Sequence, residues 1–574
     1  MEDKLLIGGI KLTQSGGLAL LEENNLIFNT EVQKLDNNSR YSDVRDLRIL
    51  PEMLSDFGYQ PPEVDHWVID GWDGAVHGHV SLFDHGTPIE LTVAPYRETA
   101  RTGNPALPAH TGKIRLGGKA TEYISYVHVA SHLAAAYCTS PFARRKEPSF
   151  VLVWDGGCFP RLYYVNELGL IEPGGEAFPL IGHFYSMTSQ YWGPLRRPNK
   201  STHVDDLSAA GKLMAYIALG TAKAQFIQVF RELFYKHFEA NTTQVHKYRE
   251  AIIGCGSTGE RSHSYVHAYL EDTRTYFESI GAADEDILAS AHKFIEELLL
   301  DRISAKIHNW KGHGPWNLCF AGGCALNIKW NSALRTHPCI AAMWVPPFPD
   351  DSGSAIGTAC LRLGNGHGLQ AITWNPRLGP ALIDTAQLSA GWSARPCGPE
   401  QLAQLLHEDA KPVVLLNGRA ELGPRALGAR SIVAPAIDPR MKDLLNEVKR
   451  REYYRPVAPI CLTESAPEIF DPGTPDPHML FEHRVRPQWV DRIPAVLHLD
   501  GTARLQTVSD VDDPNLAAIL RAYRDLSGIP VLCNTSANYS GRSFFPDAAS
   551  AMEWGMIDRV WVEGTLYEQL SSAD

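Results

Sequence analysis

The feature that most constrains the fold is a pattern that occurs twice. LLIGGI (5–10) is a short apolar run, followed by the Gly-containing loop KLTQSGG (11–17) and by LALLEENNLIF (18–28), which turns back near Asn24-Asn25. The same order returns at 150–172 as FVLVWD, GGCFP, RLYYV, NELG and LIE. Short apolar runs bounded by Gly and Asn turn residues read as strands. Strand, Gly loop, strand, turn, strand in both places predicts a duplication. Any α/β protein contains such strands, so the pattern alone leaves the duplication open.

A duplication of that shape predicts a ribonuclease-H-like nucleotide-binding fold, in which the loop after the first strand faces phosphate. The chain of 574 residues is long enough for roughly three or four domain-sized units. Residues 221–311 follow a helical polar–apolar period and read as structural helices. Residues 364–412 look like a connector rich in Gly, Pro and Trp, and a second, strand-rich unit begins at PVVLLN near 413. No apolar run reaches the length of a membrane span, and MEDKLLIGGIK has no signal-peptide core. The ten cysteines include no CxxC pair, which suggests reduced thiols in a cytoplasmic protein.

Four stretches carry candidate chemistry. In HVASHLAAAYC (128–138), His128 and His132 lie four apart on one helix face. They can share a metal ion or be two unrelated helix histidines. PPFPDDSGSAIGTAC (346–360) offers Asp350 and Asp351 before a small-residue helix, where an acid binds metal or caps the helix. Gly322-Gly323 in AGGCALN marks a strand-to-helix junction that lets backbone approach a nucleotide, or serves close packing. The fourth stretch is a basic island at 417–456. It includes Arg419, Arg425, Lys449, Arg451 and Arg455, set among Gly, Pro and Ala turns, in a chain of net charge −13. Local positive charge against an acidic whole suggests one specific anion, not a polyanion surface, and speaks against nucleic acid as a partner.

Taken together, GRAELGPRALGARSI, LLNEVKRREYYRPVAPI, TARLQTV, LCNTSAN, HVASHLAAAYCTSPF, AGKLMAYIALG, AGGCALN and DDSGSAIG resemble the O-carbamoyltransferases of natural-product and nodulation-factor biosynthesis over nearly the whole chain. The opening IKLTQSGGLALLEENNLIFNTEVQK looks closest to the branch acting on hydroxymethyl cephems. The resemblance implies an α/β protein of two domains. Residues 1–385 would form a duplicated actin/hexokinase-like (ribonuclease-H-like) carbamoyl-transfer domain similar to tRNA threonylcarbamoyl transferases. Residues 396–574 would form a YrdC-like carbamoyl-adenylate-forming domain.

It also implies roles. His128, His132 and Asp351 match the metal positions, for Fe2+ or Mn2+, with no further ligand identified. Lys212, Gly322, Gly323 and Asn327 match the nucleotide segment of the first domain. Arg419, Arg425, Lys449, Arg451, Arg455, Arg504, Asn534 and Ser536 fall where ATP, with Mg2+, and carbamoyl phosphate are held. Carbamoyl adenylate would form there and give its carbamoyl group to a hydroxyl of a small, antibiotic-type acceptor. Lys11, Gln14, Lys34 and His128 are the candidate catalytic groups. Two departures stand out: Gln14-Ser15 replaces the family's His-Asp, so no histidine of this loop can be the base, and Ala537 replaces the Phe of NTSFN. A tRNA-modifying enzyme would need a broad basic face, and a non-catalytic nucleotide-binding scaffold would need no such island.

Overall fold

Continuous burial, not alternation, marks the strands that open the chain. The strand β1 (Leu6–Lys11) is buried at every position, as a strand covered on both faces must be. The computed structural model describes residues 4–37, 39–74, 76–98, 104–200, 207–254, 260–383 and 389–570; Cys255 lies outside them. They divide into two compact units, Met1–Asn29 with Asp43–Trp374 and Thr30–Ser42 with Asn375–Asp574.

The first unit adds β2 (Gly17–Glu22), β3 (Asn25–Glu31), β4 (His66–Asp70), a hairpin of β5 (Gly78–Asp84) and β6 (Thr87–Val93), then β7 (His110–Leu116) and β8 (Lys119–Tyr126). Six of them form a sheet in the order β3-β2-β1-β4-β8-β7. In it β1 runs antiparallel to β2 and parallel to β4, and β4 runs parallel to β8. A second sheet uses β9 (Ser149–Val153), β10 (Arg161–Val165), β11 (Ile171–Glu176), β12 (Trp316–Ala321) and β13 (Ile340–Trp344) in the order β11-β10-β9-β12-β13. Here β9 is antiparallel to β10 and parallel to β12, and β12 is parallel to β13. Over five strands, β3-β2-β1-β4-β8 and β11-β10-β9-β12-β13, the two sheets therefore share one order, with the same directions about β1 and β9, and β7 extends the first sheet beyond β8. This is the duplicated ribonuclease-H-like arrangement of the actin/hexokinase fold. The expected duplication holds, and the helices expected over 221–311 lie between β11 and β12.

The fifth strand of each repeat leads to a helix, His128–Cys138 after β8 and Ser354–Gly364 after β13. The first is buried along its whole length. Its Ala-rich, Gly-free sequence suits a helix enclosed on all sides. The two helices cross so closely that a Cβ on Gly357 would lie 1.8 Å from the Ser131 carbonyl oxygen.

The second unit is built on β14 (Trp392–Pro396), β15 (Val413–Leu416), β16 (Arg430–Pro435), β17 (Ala458–Leu462), β18 (Phe470–Asp471), β19 (His483–Val485), β20 (Thr502–Ala503), β21 (Gln506–Val508), β22 (Val531–Ser536), β23 (Arg559–Val562) and β24 (Thr565–Gln569). Its main sheet runs β14-β24-β23-β15-β16-β22-β17-β21. One core collects Val413–Leu416, Ile432, Val433, Ile460 and Val531 with Leu402, Leu406, Leu516 and Leu520 of two covering helices. The helix Pro514–Ser527 shows why it starts and stops where it does. Asp513 caps the Leu516 N–H, Pro514 takes the first position, and Gly528 ends it at φ +68.

The stretch 364–412 is more than a connector. β14 and the helix Pro399–Asp409 belong to the second unit, because β14 pairs with β24 at the far end of the chain. Residues 30–42 also belong to that unit, so its chain is discontinuous. Among the described residues no helix is long and apolar enough to cross a membrane.

Gly357→Ala is expected to destabilise the first unit by about 1–3 kcal/mol, the usual cost of forcing atoms into a packed core. A melting temperature equal to the parent's would show that the helix crossing is not the tight constraint described here.

Candidate functional site

Strand ends bring the polar residues of the first unit together. Lys11 ends β1, Asp70 ends β4, and Asp155 follows β9. His128 and His132 come from the helix after β8, and Asp351 opens the turn before the helix after β13. The ligand atoms of His128, His132, Asp155 and Asp351 all lie within 4.8 Å of one another.

The contacts define roles. Asp70 Oδ2 stands 2.7 Å from His128 Nδ1 and 2.9 Å from Lys11 Nζ. A carboxylate only accepts, so Nδ1 carries a proton toward Asp70, and Nε2 is the ring nitrogen that would face a bound ion; without one, Asp70 outweighs burial and holds the His128 pKa well above its usual value. That Nε2 is 3.1 Å from His132 Nε2 and 3.4 Å from Asp351 Oδ1, and His132 Nε2 is also 3.4 Å from Asp351 Oδ1. Asp155 Oδ1 accepts the Gly323 N–H at 2.7 Å, and its Oδ2 accepts the Tyr96 hydroxyl. Lys11 Nζ also reaches Asp351 Oδ2 at 3.2 Å and lies 4.2 Å from the Trp72 ring centre.

Electrostatics show what is missing. Burial works against the charge of Asp351, but Lys11 and His128 outweigh it and hold the carboxyl well below its usual range. Asp70 is likewise lowered against burial by His128 and Lys11, and Asp155 by His128 and His132. Burial opposes the Lys11 charge too, yet Asp351 and Asp70 hold its pKa above the usual value. Three carboxylates then face the Lys11 ammonium and His128, and the two imidazole Nε2 atoms face each other at 3.1 Å. Two imidazoles and two carboxylates converging on one buried point form the mixed donor set that suits a divalent transition metal. The residues fit such an ion.

The neighbouring nucleotide segment is equally constrained. Gly322, at φ +90, has no room for a Cβ, which would lie 2.4 Å from the Trp154 carbonyl oxygen. Asn327 caps the helix Ile328–Arg335 through Lys329 N–H and Trp330 N–H. Its buried Nδ2 has no hydrogen-bond partner among the described residues. Lys212 lies half-buried on the helix Ala209–Tyr216. Gln14 is half-buried, and its backbone N–H binds Asp43, whose carboxyl burial pushes up. Trp72 also lines a cavity of about 200 Å³ with Leu12, Thr13, Asp43, Arg45 and His79.

Lys34 has a different place from the one expected of a loop base. It lies in the second unit, where its ammonium reaches Glu31 Oε1 at 2.5 Å and the carbonyl oxygens of Glu421 and Gly423 at 2.6 and 2.7 Å. With all three N–H bonds engaged it holds the basic loop and has no free pair to act as a base. Glu421, fully buried, shapes the same loop, since its Oε1 accepts the N–H groups of Leu427, Ala429 and Arg430 at 2.6–3.0 Å.

The basic island sorts into residues that build the scaffold and a cluster of crowded arginines. Arg419 donates to the carbonyls of Gly379 and Leu378. Lys449, pushed well down by burial and by Arg451 and Arg40, donates to the carbonyls of Ser536 and Asn538 and to the Asn538 side chain. Asn534 Nδ2 ties the Ala426 carbonyl to Gln506, and Ser536 Oγ donates to Asn538. Arg425, Arg451, Arg455 and Arg504 form the charged set. Burial, then Arg425, Arg455 and Arg451, push Arg504 well below its usual value, and burial with Arg455 lowers Arg451 to about 9. A guanidinium keeps its proton in a protein, so crowded like charges call for an anion. The Nε atoms of Arg451 and Arg504 are buried without a hydrogen-bond partner among the described residues.

With both sites defined, comparison with known proteins becomes informative. A family profile described as carbamoyltransferase N-terminus matches residues 6–360, and one described as carbamoyltransferase C-terminus matches residues 403–569. The chain belongs to the carbamoyltransferase family. Nodulation protein U of Rhizobium tropici is 48% identical to this carbamoyltransferase over 98% of this chain and 96% of its own. Nodulation protein U of Sinorhizobium fredii is 46% identical over 98% and 99%. The 3'-hydroxymethylcephem-O-carbamoyltransferase of Streptomyces clavuligerus is 28% identical over 99% and 100%. Over the whole chain the similarity to nodulation protein U is thus the greater of the two. The similarity to the cephem enzyme also runs the length of the chain, at lower identity.

Two outcomes are expected. Asp70→Asn weakens metal binding about 10–100-fold, the usual effect of removing an outer-shell carboxylate behind a ligating histidine. Titration with Fe2+ or Mn2+ reads it, and an unchanged affinity would show that Asp70 does not orient His128. Glu421→Gln replaces a charged acceptor of three backbone N–H groups and should cost about 2 kcal/mol of stability in denaturant unfolding. A neutral result would remove Glu421 from the scaffold of the Arg425 loop.

Proposed function

We propose that this carbamoyltransferase works by two half-reactions, one in each unit. In the C-terminal unit, water cleaves carbamoyl phosphate to carbamate and phosphate, a carbamate oxygen then attacks the α-phosphorus of ATP, and pyrophosphate leaves with the electron pair of the broken bond, giving carbamoyl adenylate. In the N-terminal unit, a hydroxyl of a small acceptor attacks the carbamoyl carbon, the bond to the adenylate oxygen breaks, and AMP leaves with the electron pair. The observation that carries the reading is the set Arg425, Arg451, Arg455 and Arg504, crowded together in a protein whose net charge is −13.

Each guanidinium fork orients a phosphate oxygen in a plane, and together they offset the repulsion between ATP and carbamoyl phosphate. Lys449 acts one step back, as the residue that holds Ser536–Asn538 beside β22. Lys34 and Glu421 fix the loop that presents Arg425. In the N-terminal unit, Gly322 and Gly323 let the backbone approach the adenylate, and the Asn327 Nδ2–H supplies a donor. A metal held by His128, His132, Asp155 and Asp351 would act as a Lewis acid on the carbamoyl oxygen. Asp70 keeps His128 in the tautomer that ligates, and Lys11 keeps the carboxylates together. The acceptor enters the cavity that Trp72 lines. That cephem enzymes are among the relatives favours a hydroxylated natural product as acceptor.

Pyrophosphate release and carbamoylation of a panel of hydroxylated acceptors, followed in parallel, test the division. Arg455→Ala should lose about 10²–10³ of the pyrophosphate rate, the usual effect of one preorganised charge-assisted donor. His128→Ala/His132→Ala should still release pyrophosphate while failing to carbamoylate the acceptor. Equal loss of both half-reactions in a folded double-histidine variant would refute the division.

A further inference from the structure

The proposed transfer leaves one proton without a destination. When the acceptor hydroxyl attacks the carbamoyl carbon, its O–H proton must go to a base. The candidate groups at the site cannot take it. Lys11 is engaged as an ammonium with Asp70 and Asp351. His128 directs Nδ1–H to Asp70 and turns Nε2 toward the point where the ligand atoms meet. Gln14 carries an amide, which takes up no proton, and Lys34 lies in the other unit. Residues 12–16, LTQSG, contain no titratable side chain.

Asp43 is placed differently. It is an exposed residue lining the cavity of about 200 Å³ that Trp72 and Thr13 also line. That cavity adjoins the metal ligands, because the Trp72 ring centre stands 4.2 Å from Lys11 Nζ and 5.7 Å, edge-on, from the His128 ring centre. The backbone at Asp43 is fixed against the loop after β1. The Val44 N–H donates to the Leu12 carbonyl at 2.8 Å. A Cβ on Gly16 would lie 2.6 Å from the Val44 nitrogen and 3.0 Å from the Asp43 carbonyl carbon. The Asp43 carboxylate accepts the Gln14 N–H. A carboxylate has about four acceptor sites, so this bond leaves room for a substrate hydroxyl. Burial of the carboxyl group raises its pKa against the Gln14 N–H, Lys11 and Arg45, and Asp351 adds to the rise. A carboxylate so raised is a stronger base. His79 also lines the cavity, and its Nδ1 faces Glu90 of β6 at 3.5 Å.

We propose that Asp43 is the general base that deprotonates the acceptor hydroxyl. This rests on the reading that the acceptor enters the Trp72 cavity. The carboxylate takes the O–H proton as the hydroxyl oxygen bonds to the carbamoyl carbon. The bond from that carbon to the adenylate oxygen breaks, and AMP carries off the electron pair. The proton then passes from Asp43 to water.

The test follows pyrophosphate release and carbamoylation of the panel alcohol that the wild-type chain carbamoylates fastest. Asp43→Asn keeps an oxygen for the Gln14 N–H, so it should keep the wild-type melting temperature and pyrophosphate release. Its kcat/KM for the alcohol should fall about 10²–10⁴-fold. Wild-type kcat/KM should rise with pH and level off above the Asp43 pKa, where the carboxylate is unprotonated. The residual Asp43→Asn rate should keep climbing, because hydroxide must replace the lost base. Asp43→Ser, which also offers Gln14 an acceptor, serves if Asp43→Asn fails to fold. Wild-type carbamoylation, a retained plateau, or equal loss of pyrophosphate release in a folded variant overturns the assignment. So does a plateau lost on His79→Gln and kept on Asp43→Asn. A wild-type KM for the alcohol in Trp72→Ala would refute the cavity reading. A raised KM there, with wild-type transfer by Asp43→Asn, would refute the base alone. Failure of the wild-type chain to release pyrophosphate would sink the two-step reading, while the carbamoylation comparison still decides Asp43.

Discussion

A buried ammonium allows the N-terminal site to exist. Asp70, Asp155 and Asp351 are drawn to one point by the ends of strands from two repeats. Unit charges about 4 Å apart repel by ~4 kcal/mol at the effective dielectric of a protein near its surface. Lys11, at 2.9 Å from Asp70 and 3.2 Å from Asp351, offsets most of that between two of the acids. It does not reach the point where the two Nε2 atoms meet, 3.1 Å apart. The cluster is thus stable enough to fold around and still negative enough to draw in a cation. Gly357 contributes from outside, since its lack of a Cβ lets the two ligand-bearing helices cross.

The C-terminal unit solves the opposite problem. On the proposed reading its arginines grip phosphate, and crowding them is unfavourable without an anion. The scaffold around them is therefore made of acceptors that do not neutralise the reacting set. Lys449 is taken up by carbonyls, Arg419 by carbonyls of the incoming chain, and the single buried carboxylate of Glu421 is consumed by backbone N–H groups. Each contact fixes a position without spending a carboxylate on the crowd formed by Arg425, Arg451, Arg455 and Arg504.

What the sequence disclosed follows from the range of the interactions involved. The two strand–Gly loop–strand patterns are local, and they carried the duplication. The i, i+4 spacing of His128 and His132 is local, and so is the basic island. Asp70 and Asp155 were legible only as polar residues closing HWVID and FVLVWD. Both end apolar runs, and that shared position was the available signal. Nothing local shows that they meet. The same holds for Lys34, which stands near Lys11 in sequence but is held by Glu421 and Gly423, nearly four hundred residues on. The pairing of β14 with β24 hid in a stretch that read as connector, because strand partners at opposite ends of a chain leave no trace in periodicity.

The duplication also explains why the site has mixed charge. Lys11 ends the first strand of one repeat, and Asp155 follows the first strand of the other. The helix after the fifth strand carries the two histidines in the first repeat, and in the second repeat Asp351 lies immediately before its counterpart. Two identical repeats would set like against like at these places, lysine facing lysine or acid facing acid. Such a pair could neither be buried at tolerable cost nor bind a cation selectively. The arrangement works because equivalent positions have diverged in sign, so that each repeat supplies what the other lacks. Reversing that divergence at Lys11, with a carboxylate in place of the ammonium, would bury a fourth acid among three and remove the ammonium that pairs with Asp70 and Asp351.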